Sequence, residues 1–207
     1  MDAPTQPRTT PDTAGEARSP LAAAIRSLLE EIGEDPTRQG LARTPERIER
    51  MYVELTAGYG TDPDRLLEGA CFDVDYDEMV VVRDIEFYSL CEHHLLPFYG
   101  RTHVGYLPRG RVVGLSKIPR IVDMYARRLQ VQERLTVQVA DFLMARLEPK
   151  GVGCVVEATH LCTMMRGVKK QAATMVTSSM LGTFRRDPKT RGEFLTFIGR
   201  ASDPPGA

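Results

Sequence analysis

Residues 79–107 read MVVVRDIEFYSLCEHHLLPFYGRTHVGYL and decide the fold of this 207-residue chain. The β-branched side chains over 79–87 predict a strand. Residues 101–107 predict its partner strand, and the segment CEHHLLPFYG is expected to connect the two. Strands joined by so short a connection pair antiparallel, so this stretch begins an antiparallel sheet.

Downstream of this strand pair the sequence predicts two helices and then two further strands. Ser116 is expected to cap the first helix, and apolar residues at helical spacing over 135–147 indicate the second. Strands are predicted over 152–160 and 173–178, and a last helix over 188–197. This order predicts the fold class α+β, with a four-stranded antiparallel sheet and two helices packed on one face.

Upstream of residue 71 the sequence predicts helices instead of strands. Three residues with N-capping side chains are each followed by proline, the residue favoured at the first position of a helix. These pairs are Ser19-Pro20, Thr44-Pro45 and Asp62-Pro63. The predicted organisation is a disordered tail over 1–18, a helical region over 19–70, a main domain over 71–200 and a tail over 201–207.

Bulk composition narrows the class of protein. A net charge of −1 lacks the basic excess of nucleic-acid and membrane-surface proteins. No run approaches the roughly 18 apolar residues of a membrane span, and the N-terminus lacks the apolar stretch of a secretory signal. The cytoplasm is therefore the expected compartment, where cysteines serve as metal ligands, nucleophiles or packing residues and rarely form disulfides.

Two distant segments together indicate a metal site. Cys91 and His94 are three residues apart, a spacing that brings both side chains to one side of a turn. If the strand over 152–160 continues regularly, His160 and Cys162 lie on one face of it. Two thiolates and an imidazole suit tetrahedral zinc, and His93 and His160 are left over beside an open fourth position.

Several segments, taken together, resemble GTP cyclohydrolase I. They are RTPERIERMY, SLCEHHLLPFYG, VVGLSKIPRIV, QVQERLT, HLCTMMRGVKK and GEFLTFI, in order between residues 43 and 198. The resemblance implies a zinc-dependent enzyme that converts GTP and water to 7,8-dihydroneopterin triphosphate and formate, the first step of folate and tetrahydropterin synthesis. It implies that Cys91, His94 and Cys162 hold the zinc and that His93 and His160 are catalytic, with roles in proton transfer.

The resemblance also implies a set of substrate-binding residues. Guanine presents two adjacent donors, N1–H and the exocyclic amine, and the Glu133 carboxylate can accept both. Gln132 is a weaker candidate for the same pocket. The triphosphate is expected to meet Ser116, Lys117, Arg120 and Arg166, with Arg47 added from a neighbouring subunit.

The family's architecture gives further expectations about assembly. It is the tunnelling fold, in which four-stranded sheets from several subunits join into a barrel, so residues 71–200 would form a catalytic tunnelling-fold domain. The resemblance implies a decamer of two pentamers with active sites at subunit interfaces. Closing a ring of sheets removes the open edges that a single sheet would expose.

Three other functions fit parts of the pattern. One is a non-catalytic member of the same fold that binds zinc and a nucleotide, although two spare histidines beside a metal favour catalysis. Another is the nitrile reductase of queuosine synthesis, which uses a cysteine nucleophile and NADPH and does not need the set Cys91, His94 and Cys162. The last is a structural zinc scaffold for protein partners, which would not turn over GTP.

Overall fold

A computed structural model describes residues 19–199 of the chain. The predicted tails over 1–18 and 201–207 lie outside these residues. The helices are α1 Pro20–Glu31, α2 Thr44–Leu55, α3 Pro63–Leu67, α4 Lys117–Ala126, α5 Gln132–Leu147, α6 Leu161–Met164, α7 Thr183–Arg186 and α8 Pro188–Gly199. The strands are β1 Cys71–Asp73, β2 Val80–Cys91, β3 Pro97–Leu107, β4 Arg111–Val113, β5 Leu129–Gln130, β6 Gly151–His160 and β7 Met175–Gly182.

The N-terminal region is helical, as the proline positions predict. Proline stands in the first turn of α1, α2 and α3, where its missing N–H costs no helical hydrogen bond. The expected side-chain caps form only at Asp62, which accepts from the backbone N–H groups of Asp64 and Arg65. Ser19 and Ser116 precede their helices without a capping bond, and Thr44 is itself the first residue of α2.

The main sheet has five strands in the order β5-β2-β3-β6-β7, so the prediction of four strands is wrong. The four long strands pair antiparallel as expected. The additional strand, β5, is only Leu129–Gln130 and pairs parallel with the end of β2. Strands β1 and β4 form a separate two-stranded sheet. Segments of two or three residues are too short to show an alternating pattern, which is why the sequence did not reveal them.

A bulge in β2 changes which side chains face the core. The register with β3 shifts between Val82 and Ile85, and Asp84 adopts a left-handed φ of 58°. Before the bulge Val80 and Val82 pack against the core, whereas after it the odd-numbered residues Ile85, Phe87 and Cys91 do. Because strand side chains alternate, Cys91 would face away from the core if β2 were regular after Val82, and the bulge, which absorbs one extra residue, is what turns Cys91 towards the core.

The main core lies between the sheet and the helices α4 and α5, as the two-helix prediction expects. Ile118 and Ile121 of α4 and Leu135 and Leu143 of α5 are completely or almost completely buried. They belong to one cluster with side chains from β2, β3 and β6. This packing fixes the start of α5 against the sheet, and the candidate site lies at that end.

The opposite face of the sheet is covered at one end by α7 and by α8, the predicted last helix, although the sequence did not predict that these helices pack there. Phe184 and Phe194 are fully buried there, with ring centroids 5.5 Å apart in an edge-to-face pair. A Cβ atom on Gly105 would lie 2.7 Å from Phe194, and one on Gly153 would lie 2.6 Å from Phe184. Glycine at both positions lets the rings approach the sheet. Among residues 19–199, none of the helices has the length and apolar character needed to cross a membrane.

Candidate active site

The segment after β2 folds into a tight turn that presents the first candidate ligands. The Cys91 carbonyl accepts from the backbone N–H groups of His94 and Leu95, and Leu95 has a left-handed φ of 54°. The Cys91 N–H donates to the Leu96 carbonyl at 2.9 Å, which closes the turn. His93 and His94 are exposed, while Cys91 is buried at the base of the turn.

Cys162 arrives from a helical turn and not from a continuing strand. Strand β6 ends at His160, and the backbone enters α6 at Leu161, so the expectation of a regular strand through Cys162 is wrong. The Thr163 hydroxyl donates to the His160 carbonyl at this junction. The turn nevertheless brings Cys162 beside Cys91, with only 8% of its surface exposed.

The predicted ligands Cys91, His94 and Cys162 lie together. One ligand atom from each lies within 4.8 Å of the others, and Cys91 Sγ is 3.9 Å from His94 Nδ1. Ligand atoms of a tetrahedral zinc site are separated by about 3.6–3.8 Å, given bonds of about 2.0–2.3 Å. The donor set and its spacing therefore fit a zinc ion after small side-chain adjustments. His93 Nδ1 also lies close, 3.8 Å from Cys91 Sγ.

The electrostatics of the two thiols are consistent with this fit. Burial raises the pKa of the Cys162 thiol, the neighbouring Cys91 sulfur raises it further, and the Arg166 charge opposes the rise. A cation held beside the Cys162 sulfur would oppose this rise and stabilise the thiolate. Cys154, by contrast, is fully buried in the core, where burial raises the pKa of its thiol to about 12, as expected for a packing residue.

His160 is held at the edge of the cluster by two neighbours. Its ring stacks on the buried Phe98 with centroids 4.7 Å apart and planes within 3°. Its Nε2 lies 2.8 Å from Oε1 of Gln132. Burial lowers the pKa of His160, and the negative charge of Glu133 acts in the opposite direction. Glu133 itself is exposed in the first turn of α5, where a carboxylate can reach a ligand.

Gln132 does not have the geometry of a base-reading residue. Only 1% of its surface is exposed, and its amide group is occupied by partners within the protein. The prediction that it contacts guanine is therefore not supported by its position. The burial of Gln132 was not predictable, because a polar residue at the start of a helix is normally exposed and the sequence does not show that β6 and β7 cover this one.

A contact between α5 and the metal turn was not anticipated from the sequence. Arg134 forms an ion pair with Glu92 and donates to the side chain of Gln130 at 3.0 Å. The Glu92 N–H donates to the Gln130 carbonyl. Gln132 and Arg134, both in the first turn of α5, thus contact His160 and the turn after Cys91 respectively. The signal available in the sequence was the pair of opposite charges, Glu92 in CEHH and Arg134 in QERL.

The expected phosphate-binding residues are only partly gathered. Lys117 and Arg120 line an open pocket of about 370 Å³ together with Arg65 of α3, which the sequence reading did not single out. Ser116 is exposed at the start of α4, and its hydroxyl forms no capping bond. Arg47 is exposed on α2, and within residues 19–199 it forms no hydrogen bond or ion pair with the cluster.

Together the fold and the cluster define a class of protein. It is an α+β protein in which two cysteines and a histidine are spaced for a metal, and the partly buried His160 lies at the edge of this cluster. Comparison with known proteins places the chain within that class. The family model described as GTP cyclohydrolase I matches residues 21–199. The chain therefore belongs to the GTP cyclohydrolase I family and is a hydrolase.

Individual relatives agree over most of the chain. A GTP cyclohydrolase 1 from Synechococcus sp. (strain JA-3-3Ab) is 58% identical over 88% of this chain and 80% of its own length. Those from Leptospira biflexa and Rattus norvegicus are each 57% identical over 86% of this chain. The matched region spans 97% of the Leptospira protein and 74% of the Rattus protein. An apo crystal structure of the archaeosine synthase QueF-Like overlaps 51% of the chain at 21% identity and a TM-score of 0.41, too low to carry an inference.

Proposed function

We propose that this enzyme hydrolyses GTP to 7,8-dihydroneopterin triphosphate and formate with a zinc ion as cofactor. The observation that carries the proposal is the clustering of Cys91, His94 and Cys162 beside two further histidines, within a chain of this family. Such a reaction needs water attack on a purine carbon followed by several proton transfers. The cluster offers groups for both tasks.

The proposed metal ligands are the two thiolates and the His94 imidazole. A zinc ion held there would supply Lewis acidity, which makes water a nucleophile at neutral pH. His93 lies beside the Cys91 sulfur and is exposed, so it can exchange protons with a substrate and with solvent. Burial lowers the pKa of His160, which favours the neutral ring that a proton acceptor requires, and Phe98 and Gln132 hold this ring in place.

Substrate recognition is proposed for charged groups around the cluster. The Glu133 carboxylate is exposed near His160 and can accept both N–H groups of the guanine edge. Lys117 and Arg120 provide positive charge in one pocket, and the unused Ser116 hydroxyl can donate to a phosphate oxygen. Arg166 lies close enough to Cys162 to affect its pKa, so it is placed to contact a substrate bound at the cluster. Arg47 would act from a neighbouring subunit.

The proposed assembly is a decamer of two pentamers with the tunnelling fold. Within residues 19–199, the outer edge of β7 has no partner strand, and β2 is paired on its outer side only at Leu90 and Cys91. These edges can join those of neighbouring subunits. The helices α1 and α2 also leave large apolar side chains exposed, among them Leu28 and Val53, and Ile32 directly after α1 is exposed as well. Light scattering should give ~230 kDa, ten chains of 23.1 kDa, whereas a stable active monomer would contradict the shared-site assembly.

The proposed compartment is the cytoplasm, because a site built on free thiols needs reducing conditions.

The test of the activity is incubation of the purified full-length protein with GTP. We expect formate and pterin in equal amounts, with formate measured enzymatically and the pterin by fluorescence after oxidation. Chelation should abolish both products, and added zinc should restore them. A zinc-loaded protein that binds GTP without releasing formate would be a non-catalytic member of the fold, and the proposal would be wrong.

A further inference from the structure

The orientation of the buried Gln132 amide follows from the groups around it. Its Nε2 atom lies 3.0 Å from the carbonyl oxygens of both Val156 and Met175. Backbone carbonyls can only accept hydrogen bonds, so the NH₂ group of the amide must face them. A flipped amide would place its oxygen against two carbonyl oxygens in a buried site, which is strongly unfavourable.

The hydroxyl groups of the neighbouring threonines indicate the same orientation of the Gln132 amide independently, because each hydroxyl can donate only one hydrogen bond. The Thr136 hydroxyl donates its proton to the Gln132 backbone carbonyl at 2.8 Å. The 2.6 Å contact between the Thr136 and Thr177 hydroxyls must then be donated by Thr177. The Thr177 oxygen is left as an acceptor, and Gln132 Nε2 lies 3.1 Å from it. Three separate acceptors therefore require the NH₂ group on this side.

The amide oxygen consequently faces His160. Gln132 Oε1 lies 2.8 Å from His160 Nε2, and since Oε1 can only accept, Nε2 must carry the proton. In a neutral imidazole the other nitrogen, Nδ1, then has a free lone pair. Stacking on Phe98 prevents the ring from turning out of this arrangement. Within residues 19–199, Nδ1 has no hydrogen-bond partner.

From these contacts we infer that Gln132 is a positioning residue that locks His160 in the Nε2–H tautomer and leaves the lone pair of the neutral ring on Nδ1. The inference deepens the proposed function and rests on it for the catalytic consequence. It assigns Gln132 a role through His160 and not through the guanine base. The carbonyls of β6 and β7 thus determine which nitrogen of the neutral His160 ring carries the proton.

The tautomer can be measured directly by ¹⁵N-histidine NMR on the full-length protein. The chain has only four histidines, so a His160→Asn variant assigns the relevant signals. His103 is an internal reference for the same tautomer, because its Nδ1 accepts from the Asp84 N–H at 3.1 Å. We expect protonated Nε2 and unprotonated Nδ1 for His160 in the wild type, and a changed tautomer ratio in Gln132→Met. A wild-type His160 protonated at Nδ1 would overturn the inference.

Kinetics provide a second readout that a purely structural role would not produce. Gln132→Met should lower kcat about 10- to 100-fold through misplacement of the proton acceptor, with KM for GTP and bound zinc nearly unchanged. In a His160→Ala background the same substitution should have no further effect on kcat. A matched control is Gln138→Met on the same helix, which removes a hydrogen bond to Gln130 and leaves the contacts of His160 intact.

Two results would contradict the positioning role. A raised KM with unchanged kcat would mean that Gln132 reads the base, and a full additional loss in the His160→Ala background would mean that it acts independently of His160. The NMR spectrum reports the tautomer whether or not the protein turns over GTP. The inference and the proposed function can therefore fail separately.

Discussion

Replacement of Cys162 by serine tests the metal site with a quantitative expectation. Zinc bound by four protein ligands contributes about 10–16 kcal/mol of apparent binding free energy. This cluster has three ligand residues, with ligand atoms within 4.8 Å of one another. Loss of one thiolate should remove one ligand's share, roughly a quarter of such an energy or about 2.5–4 kcal/mol, which weakens zinc binding by about 10²- to 10³-fold. Serine is smaller than cysteine and fits the buried position, so the fold should persist.

The assay is competition for zinc against a chelator of known affinity, followed by elemental analysis of the protein. Cys162→Ser should lose its zinc at chelator concentrations that the wild type withstands, and GTP turnover should fall in parallel. Cys71→Ser is the control, because Cys71 is a partly buried cysteine on β1 outside the cluster. Equal zinc affinity in the wild type and Cys162→Ser would refute the assignment of the ligands.

Three further predictions concern neighbouring groups. Glu133→Gln should weaken GTP binding about 10- to 150-fold, because a charge-assisted hydrogen bond of about 1.5–3 kcal/mol is lost. Calorimetry should show this change while the zinc content stays the same, and an unaltered affinity would mean that another group reads guanine. Zinc-stripped protein should oxidise in air to a Cys91–Cys162 disulfide and rebind zinc only after reduction, and peptide mapping that finds both thiols free would contradict this. Burial lowers the pKa of His103, so the unfolded chain takes up more protons and the melting temperature should fall as pH drops below about 6.5. His103→Asn, whose Oδ1 can still accept from the Asp84 N–H at the position of Nδ1, should weaken this pH dependence, and identical pH profiles would exclude His103 as its source.

The sequence predicted the long elements because each carries a repeating pattern over many residues. The strand over 152–160 matches β6, which spans Gly151–His160, and the helix over 188–197 matches α8. The strand over 79–87 was predicted too short, because β2 continues to Cys91. The alternation of inward and outward side chains along β2 is interrupted at the bulge, because the extra residue inverts its order. A prediction based on alternation alone therefore fails beyond this point.

The site was predictable where chemistry alone selects the residue type. Two cysteines and a histidine near spare histidines are rare enough to indicate a metal, and the three predicted ligands are gathered in the structure. The route to Cys162 and the burial of Gln132 were not predictable, because each depends on how separate segments meet. A strand that turns helical after His160 and two strands that cover the start of α5 are tertiary facts.

The bulge at Asp84 also sets a counting rule for this strand. Between Val82 and Ile85, β2 holds one residue more than the paired stretch of β3. Deletion of a single residue there would remove the bulge and leave Val82 and Ile85 on the same face by plain alternation, so Cys91 would still face the core. Deletion of two residues would instead turn every later residue of β2 to the other side of the sheet, including Cys91. In related sequences, a one-residue gap at this point is therefore compatible with an intact ligand, whereas a two-residue gap signals the loss of a ligand, even where the motif CEHH itself is intact.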